Sequence, residues 1–352
     1  VTLKTIAERL GVSRMTVSNA FSRPDQLSPA LRRQILQTAE ELGYVGPDPT
    51  ARALARGSTG AVGVLLTESL TDAFTDEVAT GFLAAVAAEF GPTGLALTLL
   101  TTSSGPVIPA RDVALDGAIV YSCVPQSPAL DWLLRRRLPL VFVDQVPREN
   151  IPSVNIDDRG GARAAARHLV ELGHRRIGIV SSSVSGPYGL LADPVDAAVG
   201  RVSGERVLGW TDELGAAGIE PTVVVARAHA AGDDLDPAAL ILDVDPRPTA
   251  VLCFSDVIAR SVLDAAKERG LRVPEDLSVI GFDDAPLAAR TSPALTTVRQ
   301  DVDAKGRRAA AALTAEIAGY GAEGPRSPVP HLVLPTDLVV RGSTAPPPDS
   351  LP

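Results

Sequence analysis

TLKTIAERLGVSRMTVSNAFSRPDQLSPALRRQILQTAEELGYVGPDPTARALARG, residues 2–57, reads as three short amphipathic helices followed by a linker that could itself become helical. Ile6, Ala7 and Leu10 put an apolar stripe on a first helix from about Thr5, and Gly11 supplies the left-handed stop that helix ends commonly use. Ser13 is placed to cap RMTVSNAF, where Val17, Ala20 and Phe21 return an apolar face while Arg14, Met15, Ser18 and Asn19 point elsewhere. Ser28 and Pro29 start a third helix, with Leu31, Ile35, Thr38 and Leu42 on one side and Gly43 closing it. The spacing predicts helix, tight turn, helix, with a third helix completing a small shared core.

In a helix-turn-helix the second helix lies in the DNA major groove and its N-terminal side chains reach base edges. Here those side chains are Arg14, Met15 and Asn19. Arginine can bridge the two acceptors of guanine, asparagine can pair with adenine, and methionine offers apolar contact to a thymine methyl. Thr5, Ser13, Thr16 and Ser18 are small hydroxyl groups suited to phosphate oxygens, which fix register without reading sequence. The alternative is a three-helix protein-interaction module, since exposed Arg and Asn on a helix are often merely solvated. Charge favours DNA: eight basic and five acidic residues give residues 1–57 a charge of +3, while the whole chain is −9 and the remainder therefore −12. A cationic end on an anionic body suits a polyanion that only the end touches.

TLKTIAERLGVSRMTVSNAF and LSPALRRQILQTAEELGYVGPDPTARALARG resemble the head and hinge of the LacI/GalR family of bacterial transcription regulators. The resemblance implies that PTARALARG is a hinge helix that orders when a dimer meets its operator. It also implies that Leu54 wedges into the minor groove, with Arg52 beside it on the DNA-facing linker. An inserted apolar side chain unstacks a base step and bends the duplex. The competing reading of Leu54 is a linker leucine packed on the body.

Beyond Ala61 the apolar runs AVGVLL, LALTLL, GAIVYS, LPLVFVD, RIGIVS, TVVVA, AVLCFS and LSVIGFDD alternate with helical patterns, the signature of buried parallel strands. So many strands over roughly 280 residues favour two similar lobes. IDDRGGARAAARHLVELGHRRIGIVS, PTAVLCFSDVIARSVLDAAKERGLRVPEDLSVIGFDD, LTTVRQD and LPTDLVVRGST resemble the same family's effector domain, so the likeness spans essentially the whole chain. It implies an N-terminal all-α helix-turn-helix head, three helices plus a hinge helix, joined to an α/β two-lobed periplasmic-binding-protein-like effector domain. The expected division is head 1–46, hinge 47–59 and effector domain 60–342, with a disordered tail at 343–352. The N-lobe is expected at about 60–156 and 287–318 and the C-lobe at about 157–286 and 319–342, with crossovers near Asp157, Pro286 and Gly319.

Ligands of open α/β sheets bind beyond the carboxyl ends of the strands. Strand exits here carry Asp144, Ser255, Asp256 and Asp283, and GVLLTES leads to Phe74. By resemblance, Asp283 and Arg206 match ligand-contacting positions, Phe74 an aromatic of the first loop, Asp144 and Ser255 positions that touch ligand in some members, and His229 a stacking position. Otherwise Asp283 and Asp256 are helix caps, Arg206 a surface ion-pair partner and Phe74 core. Two segments depart from the family: TTSSGPVIPARDVALD is short where a full helix is expected, and SSSVSGPYGLLADPVDAAVGRVSGE is long and loop-like.

Cys123 and Cys253 read as buried free thiols, with no CxxC or Cys/His pattern. GxxxxGK[ST], GxGxxG after a strand, GxSxG and HExxH are absent, and His168, His174, His229 and His331 lack metal-pair spacing. No cofactor, metal or enzymatic activity is expected. Neither a membrane-length apolar run nor a secretion signal is present, which points to the cytoplasm. The expectation is a regulator, of repressor type, that binds near-palindromic double-stranded operator DNA as a homodimer and responds to a small effector, a carbohydrate by resemblance. The alternative is a solute-binding receptor without DNA function.

Overall fold

The computed structural model describes residues 1–46, 48–66, 70–102, 107–122, 127–183, 188–197, 200–228, 236–320 and 329–348. The described chain divides into two compact units, Val1–Gly60 and Ala61–Pro352.

In the first unit, α1 (Leu3–Leu10), α2 (Arg14–Ser22) and α3 (Pro29–Glu41) enclose Ile6, Ala7, Val17, Ala20, Ile35 and Ala39. α1 begins two residues before the expected Thr5, because Thr2 and Thr5 form a reciprocal capping box. Such a cap satisfies two N–H groups that a helix start otherwise leaves unpaired. Gly11 at φ 66° closes α1, and Ser13 caps α2 three residues before Thr16. Phe21 meets Tyr44 edge to face at 5.6 Å, closing the core beyond α3. α4 (Pro49–Arg56) is capped by Asp48 and ended by Gly57 at φ 68°.

The second unit holds two sheets. Its first half runs β1 (Ala61–Leu66), α5 (Leu70–Thr75), α6 (Glu77–Phe90), β2 (Ala96–Thr101), α7 (Pro109–Asp112), β3 (Gly117–Tyr121), α8 (Pro128–Arg136), β4 (Leu140–Val143) and β5 (Ser153–Ile156). There follow α9 (Asp158–Leu172), β6 (Ile177–Ser183), β7 (Gly189–Leu191), α10 (Arg201–Ala216), β8 (Val223–Ala228), α11 (Pro237–Leu242), β9 (Ala250–Cys253) and α12 (Asp256–Glu268). The chain ends with β10 (Ser278–Asp283), α13 (Pro286–Arg290), β11 (Thr296–Gln300), α14 (Val302–Gly319), β12 (His331–Leu334) and β13 (Thr336–Val339).

The six-stranded sheet, β12-β5-β4-β3-β1-β2, is parallel throughout. The seven-stranded sheet, β13-β11-β10-β9-β6-β8-β7, is parallel except for its two antiparallel edges, β13 and β7. Helices cover both faces of each, which explains why the strands read as unbroken apolar runs rather than alternating ones. α14 returns from the second sheet to the first and packs on α6, where a Cβ at Gly306 would come within 2.6 Å of the Ala85 methyl carbon.

Strand pairing corrects two of the expected crossovers. The first lies at Asp157, between β5 and α9, as expected. β11 still belongs to the seven-stranded sheet, so the second falls at Asp301 rather than Pro286, and β12 pairs with β5, so the third falls near residue 335 rather than Gly319. Asp157 and Asp301 each cap the helix that follows, accepting Gly160 N at 2.9 Å and Ala304 N at 2.8 Å. A sharp change of direction is thus tied down where the chain changes lobe.

The tail expected to be disordered from residue 343 is ordered to 348. Ser343 is fully buried with its hydroxyl on Val279 O, and the Ala345 carbonyl accepts from Ser278 Oγ and faces His174 Nε2 at 2.9 Å. Polar groups buried beneath it need these partners. The long 181–205 segment is not simply a loop, since it contributes β7 to the sheet edge. Among its described residues the 101–116 connection holds one helix, the single turn α7. Cys253 is a buried free thiol, and burial pushes its ionisation upward; Cys123 lies outside the described residues.

Candidate functional site

In the head, Ser13 Oγ accepts Thr16 N at 3.0 Å, fixing the start of α2. Arg14 and Met15 follow on its first turn and stand in solvent, Met15 at 69% exposure. Thr16, Ser18 and Asn19 are half-buried on the next turn, with Asn19 Nδ2 donating to Gln26 Oε1 at 3.0 Å. Gln26, in a 3-10 turn, therefore orients the Asn19 amide. Nothing in the local pattern around Gln26 signals that role. Thr5 remains exposed, but its hydroxyl takes part in the α1 cap. The Tyr44 phenol is pushed up by partial burial, with the positive charges of Arg14 and Arg52 working the other way.

α4 is eight residues long, and none of its described side chains is buried. Leu54 is 86% exposed, which excludes a leucine packed into a core within this unit. A helix this short is marginal in water without packing. A partner that accepts the exposed leucine would stabilise it.

The second unit gathers charge at strand exits. Ser122 and Asp144, which follow β3 and β4, and Asp283 and Asp284, which end and follow β10, have φ of 48°, 54°, 115° and 53°. Non-glycine residues held at positive φ carry strain, and such strain concentrates at functional sites. Asp144 Oδ2 accepts from Lys305 Nζ at 2.6 Å, and the same ammonium donates to Gln300 Oε1 at 2.7 Å. Gln300 Nε2 donates to Asp283 Oδ1 at 2.7 Å. Arg206 reaches that oxygen through Nη2 at 3.4 Å, Asp158 Oδ1 through Nε at 2.9 Å and the Phe254 carbonyl through Nη1 at 2.5 Å. Its guanidinium lies 3.6 Å from the Phe282 ring centroid. The chain of contacts runs from the end of β4 in one lobe to the ends of β10 and β11 and the start of α9 in the other.

Burial pushes the carboxyls of Asp158 and Asp283 up to about 6, against the pull of Arg206 in both cases. Burial works against the Arg206 charge, but Asp283 and Asp158 outweigh it and raise its pKa. Asp144 Oδ1 and Asp158 Oδ2 are buried without a hydrogen-bond partner among the described residues. These are acceptors without donors.

Arg206, Asp144 and Asp283 thus come together as the sequence suggested, buried rather than at the surface. Phe74 lies on α5, 60% exposed, outside this network. Ser255 caps α12, accepting Ile258 N at 3.3 Å. Asp256 holds the turn after β10, accepting Ala285 N at 2.8 Å and the Thr297 hydroxyl at 2.5 Å. Gly281 makes room for it, since a Cβ there would collide with Asp256 Oδ1. Burial, aided by the nearby Asp283, raises its carboxyl to about 8. Asp256 is thus the first residue of α12 rather than its cap, which is Ser255, and it braces the chain after β10. His229 lies outside the described residues. Asp158, Gln300 and Lys305 escaped the sequence reading. Asp158 and Gln300 had a signal in the motifs IDDRGG and TVRQD, whereas Lys305 had none.

Among the described residues no cluster of His, Cys, Asp and Glu is arranged to hold a metal ion, and no helix is long and apolar enough to cross a membrane.

Comparison with known proteins adds an independent line. Residues 2–46 match the sequence model of bacterial regulatory proteins of the lacI family, and residues 166–344 match that of the periplasmic binding protein-like domain. An HTH-type transcriptional regulator of Mycolicibacterium smegmatis is 40% identical, over 99% of this chain and 97% of its own length. Among solved structures, a lac repressor dimer bound to operator and the anti-inducer ONPF superposes with a TM-score of 0.76 at 26% identity, covering 98% of this chain and 99% of that one. A complex of the transcriptional regulator CelR with cellobiose superposes at 0.69 and 29% identity, covering 97% of this chain and 99% of that one.

Proposed function

The chain belongs to the LacI family of bacterial regulatory proteins, and from that premise we propose that this DNA-binding transcriptional regulator is a repressor whose grip on a near-palindromic operator is set by a carbohydrate in the cleft of its second unit. It acts in the cytoplasm as a homodimer, which doubles the base contacts and matches its own two-fold axis to two half-sites. The lac repressor dimer on operator supports the assembly, and the CelR–cellobiose complex supports the class of effector.

One observation carries the reading: an exposed recognition turn, Arg14 and Met15, shares a unit with a short helix that leaves Leu54 86% in solvent. Arg14, Met15 and Asn19 read bases, Thr5, Ser13, Thr16, Ser18 and Arg52 hold phosphates, and Leu54 opens a base step. Phe74, Asp144, Arg206, Ser255, Asp283 and His229 are proposed to surround the effector, with Asp256 supporting the wall beneath them. The effector prefers one lobe arrangement and so shifts a two-state equilibrium that the hinges sense.

The test is selection of duplexes from a random pool by the full-length protein, followed by anisotropy titration of the enriched sequence. A near-palindromic site is expected, with Asn19→Ala and Leu54→Ala each weakening it by a hundredfold or more. Failure to enrich any duplex, or wild-type affinity in both variants, overturns the assignment.

A further inference from the structure

Lys305 is one of only three lysines in the chain, set in the alanine-rich helix α14 and 1% exposed. Burying an ammonium is costly, and an apolar residue of similar volume usually serves stability as well or better. Its surroundings account for it. Two of its three donors are given to Asp144 and Gln300, at 2.6 and 2.7 Å, and the ammonium lies 5.5 Å from the Tyr121 ring centroid. Because Gln300 turns its oxygen toward Lys305, its amide nitrogen is presented to Asp283. One lysine thus fixes two carboxylates, Asp144 from the lobe of the six-stranded sheet and Asp283 from the other.

Arg206 is equally committed, to Asp158, Asp283 and the Phe254 carbonyl. The network of three aspartates and two cations therefore keeps one net negative charge, and both cations already face oxygens. What is left over is the pair of buried acceptors, Asp144 Oδ1 and Asp158 Oδ2. A molecule completing this arrangement has to bring hydrogen-bond donors and no negative charge.

We infer that Lys305 is a specificity-determining residue of the cleft: by fixing Asp144 and, through Gln300, Asp283, which shares Arg206 with Asp158, it leaves Asp144 Oδ1 and Asp158 Oδ2 to accept hydroxyl groups, and so selects an uncharged polyol and refuses phosphorylated or carboxylated sugars. The inference rests on the effector reading of the cleft. Lys305 acts through its neighbours and is a positioning residue.

The experiment is calorimetric titration of the full-length protein with neutral pentoses, hexoses, cellobiose and cyclic polyols, each paired with its monophosphate, uronic acid and amino derivative. A neutral member is expected to bind at least tenfold more tightly than its anionic partners. Lys305→Met should weaken that member tenfold or more and shift preference toward its cationic amino derivative, while Lys305→Arg retains more of the affinity. If Lys305→Met fails to fold, Lys305→Met with Asp144→Asn removes the ion pair as a unit and should show the same loss. Tight binding of a phosphate or uronate, or a wild-type neutral-to-amino ratio in the variants, overturns the role of Lys305 while leaving the cleft as effector site. No binding by any probe, in protein that still selects its duplex, overturns the cleft reading itself.

Discussion

The head and the cleft handle polar side chains in opposite ways. In the head, Arg14, Met15 and Leu54 stand in solvent on short helices and the core beneath them is apolar. In the cleft, Asp144, Asp158, Arg206, Asp283 and Lys305 are all less than a tenth exposed and depend on one another. Removing an exposed side chain costs the fold little, because water replaces what it loses. Removing one member of a buried ionic network leaves its partners charged and unpaired. The head can therefore change what it reads without changing how it folds, whereas the cleft cannot.

The sharpest test of that contrast is a pair of arginines. Arg206→Met should destabilise the second unit by about 3–5 kcal/mol, because Asp158 and Asp283 lose their shared cation. Arg14→Ala should stay within about 0.5 kcal/mol of wild type in stability while losing about 1–3 kcal/mol of operator affinity. Denaturant unfolding and duplex titration measure both. Equal destabilisation by the two would break the comparison.

A second test separates a structural carboxyl from the network. An unfolded Asp ionises near pH 4, whereas Asp256 does so near 8 in the folded chain. Between those values the native state binds the additional proton, so its contribution to stability is full below about pH 4 and is lost as pH rises toward 8. Asp158 and Asp283 follow the same sign but finish near 6. From pH 6.5 to 7.5 Asp256 contributes a loss of at most about 1.4 kcal/mol, opposed by His168 and His174, whose pKa values burial lowers below that of an unfolded His, so that they favour the native state as pH rises. Asp256→Asn keeps an acceptor for Ala285 N and should remove the falling part of the stability profile across this interval. An unchanged slope in thermal melts would show that Asp256 is ionised there.

How far residues could be read from sequence follows the range of the forces that place them. Ser13, Gly11, Ser28 and the stripe of Val17 and Ala20 are decided within a few residues of themselves, and the helices of the head lie where their caps put them. The apolar strands β1–β4, β6 and β8–β10 of the second unit were equally plain, whereas β5, β7, β11, β12 and β13 carry no comparable apolar run. Which sheet each joins was not plain: β11, TTVRQ, and β12, HLVL, are both short segments near the C-terminus, and pairing with β10 in one case and with β5 in the other separates them. Asp144, Arg206 and Asp283 could be suspected because strand exits and a family likeness mark them. Lys305 reads as an ordinary solvated helix lysine in VDAKGRRAAAALTAEIAG, because its partner Asp144 lies 161 residues earlier. Ser343 and Ala345 sit in a proline-rich tail whose composition suggests disorder, and distant partners give the tail its place: Val279 and Thr296 bind Ser343, and Ser278 and His174 meet the Ala345 carbonyl.

The smallest effect is expected at Glu77, where the body is built like the head. Glu77 opens α6 in the lobe of the six-stranded sheet, yet its Oε2 accepts Leu287 N at 2.9 Å and its Oε1 pairs with Arg290, both on α13 of the other lobe. The pair is substantially exposed, so water and salt screen it and it contributes about 0.2–1 kcal/mol. Glu77→Gln should therefore leave unfolding almost unchanged. Since the contact joins the lobes, the same small energy acts directly on their closure: solution scattering should show a slightly larger radius of gyration, and effector affinity should fall by no more than about fivefold. A loss as large as that of Arg206→Met would show that position between the lobes, rather than burial, sets the cost of removing a charge. The division between head and cleft would then have to be redrawn.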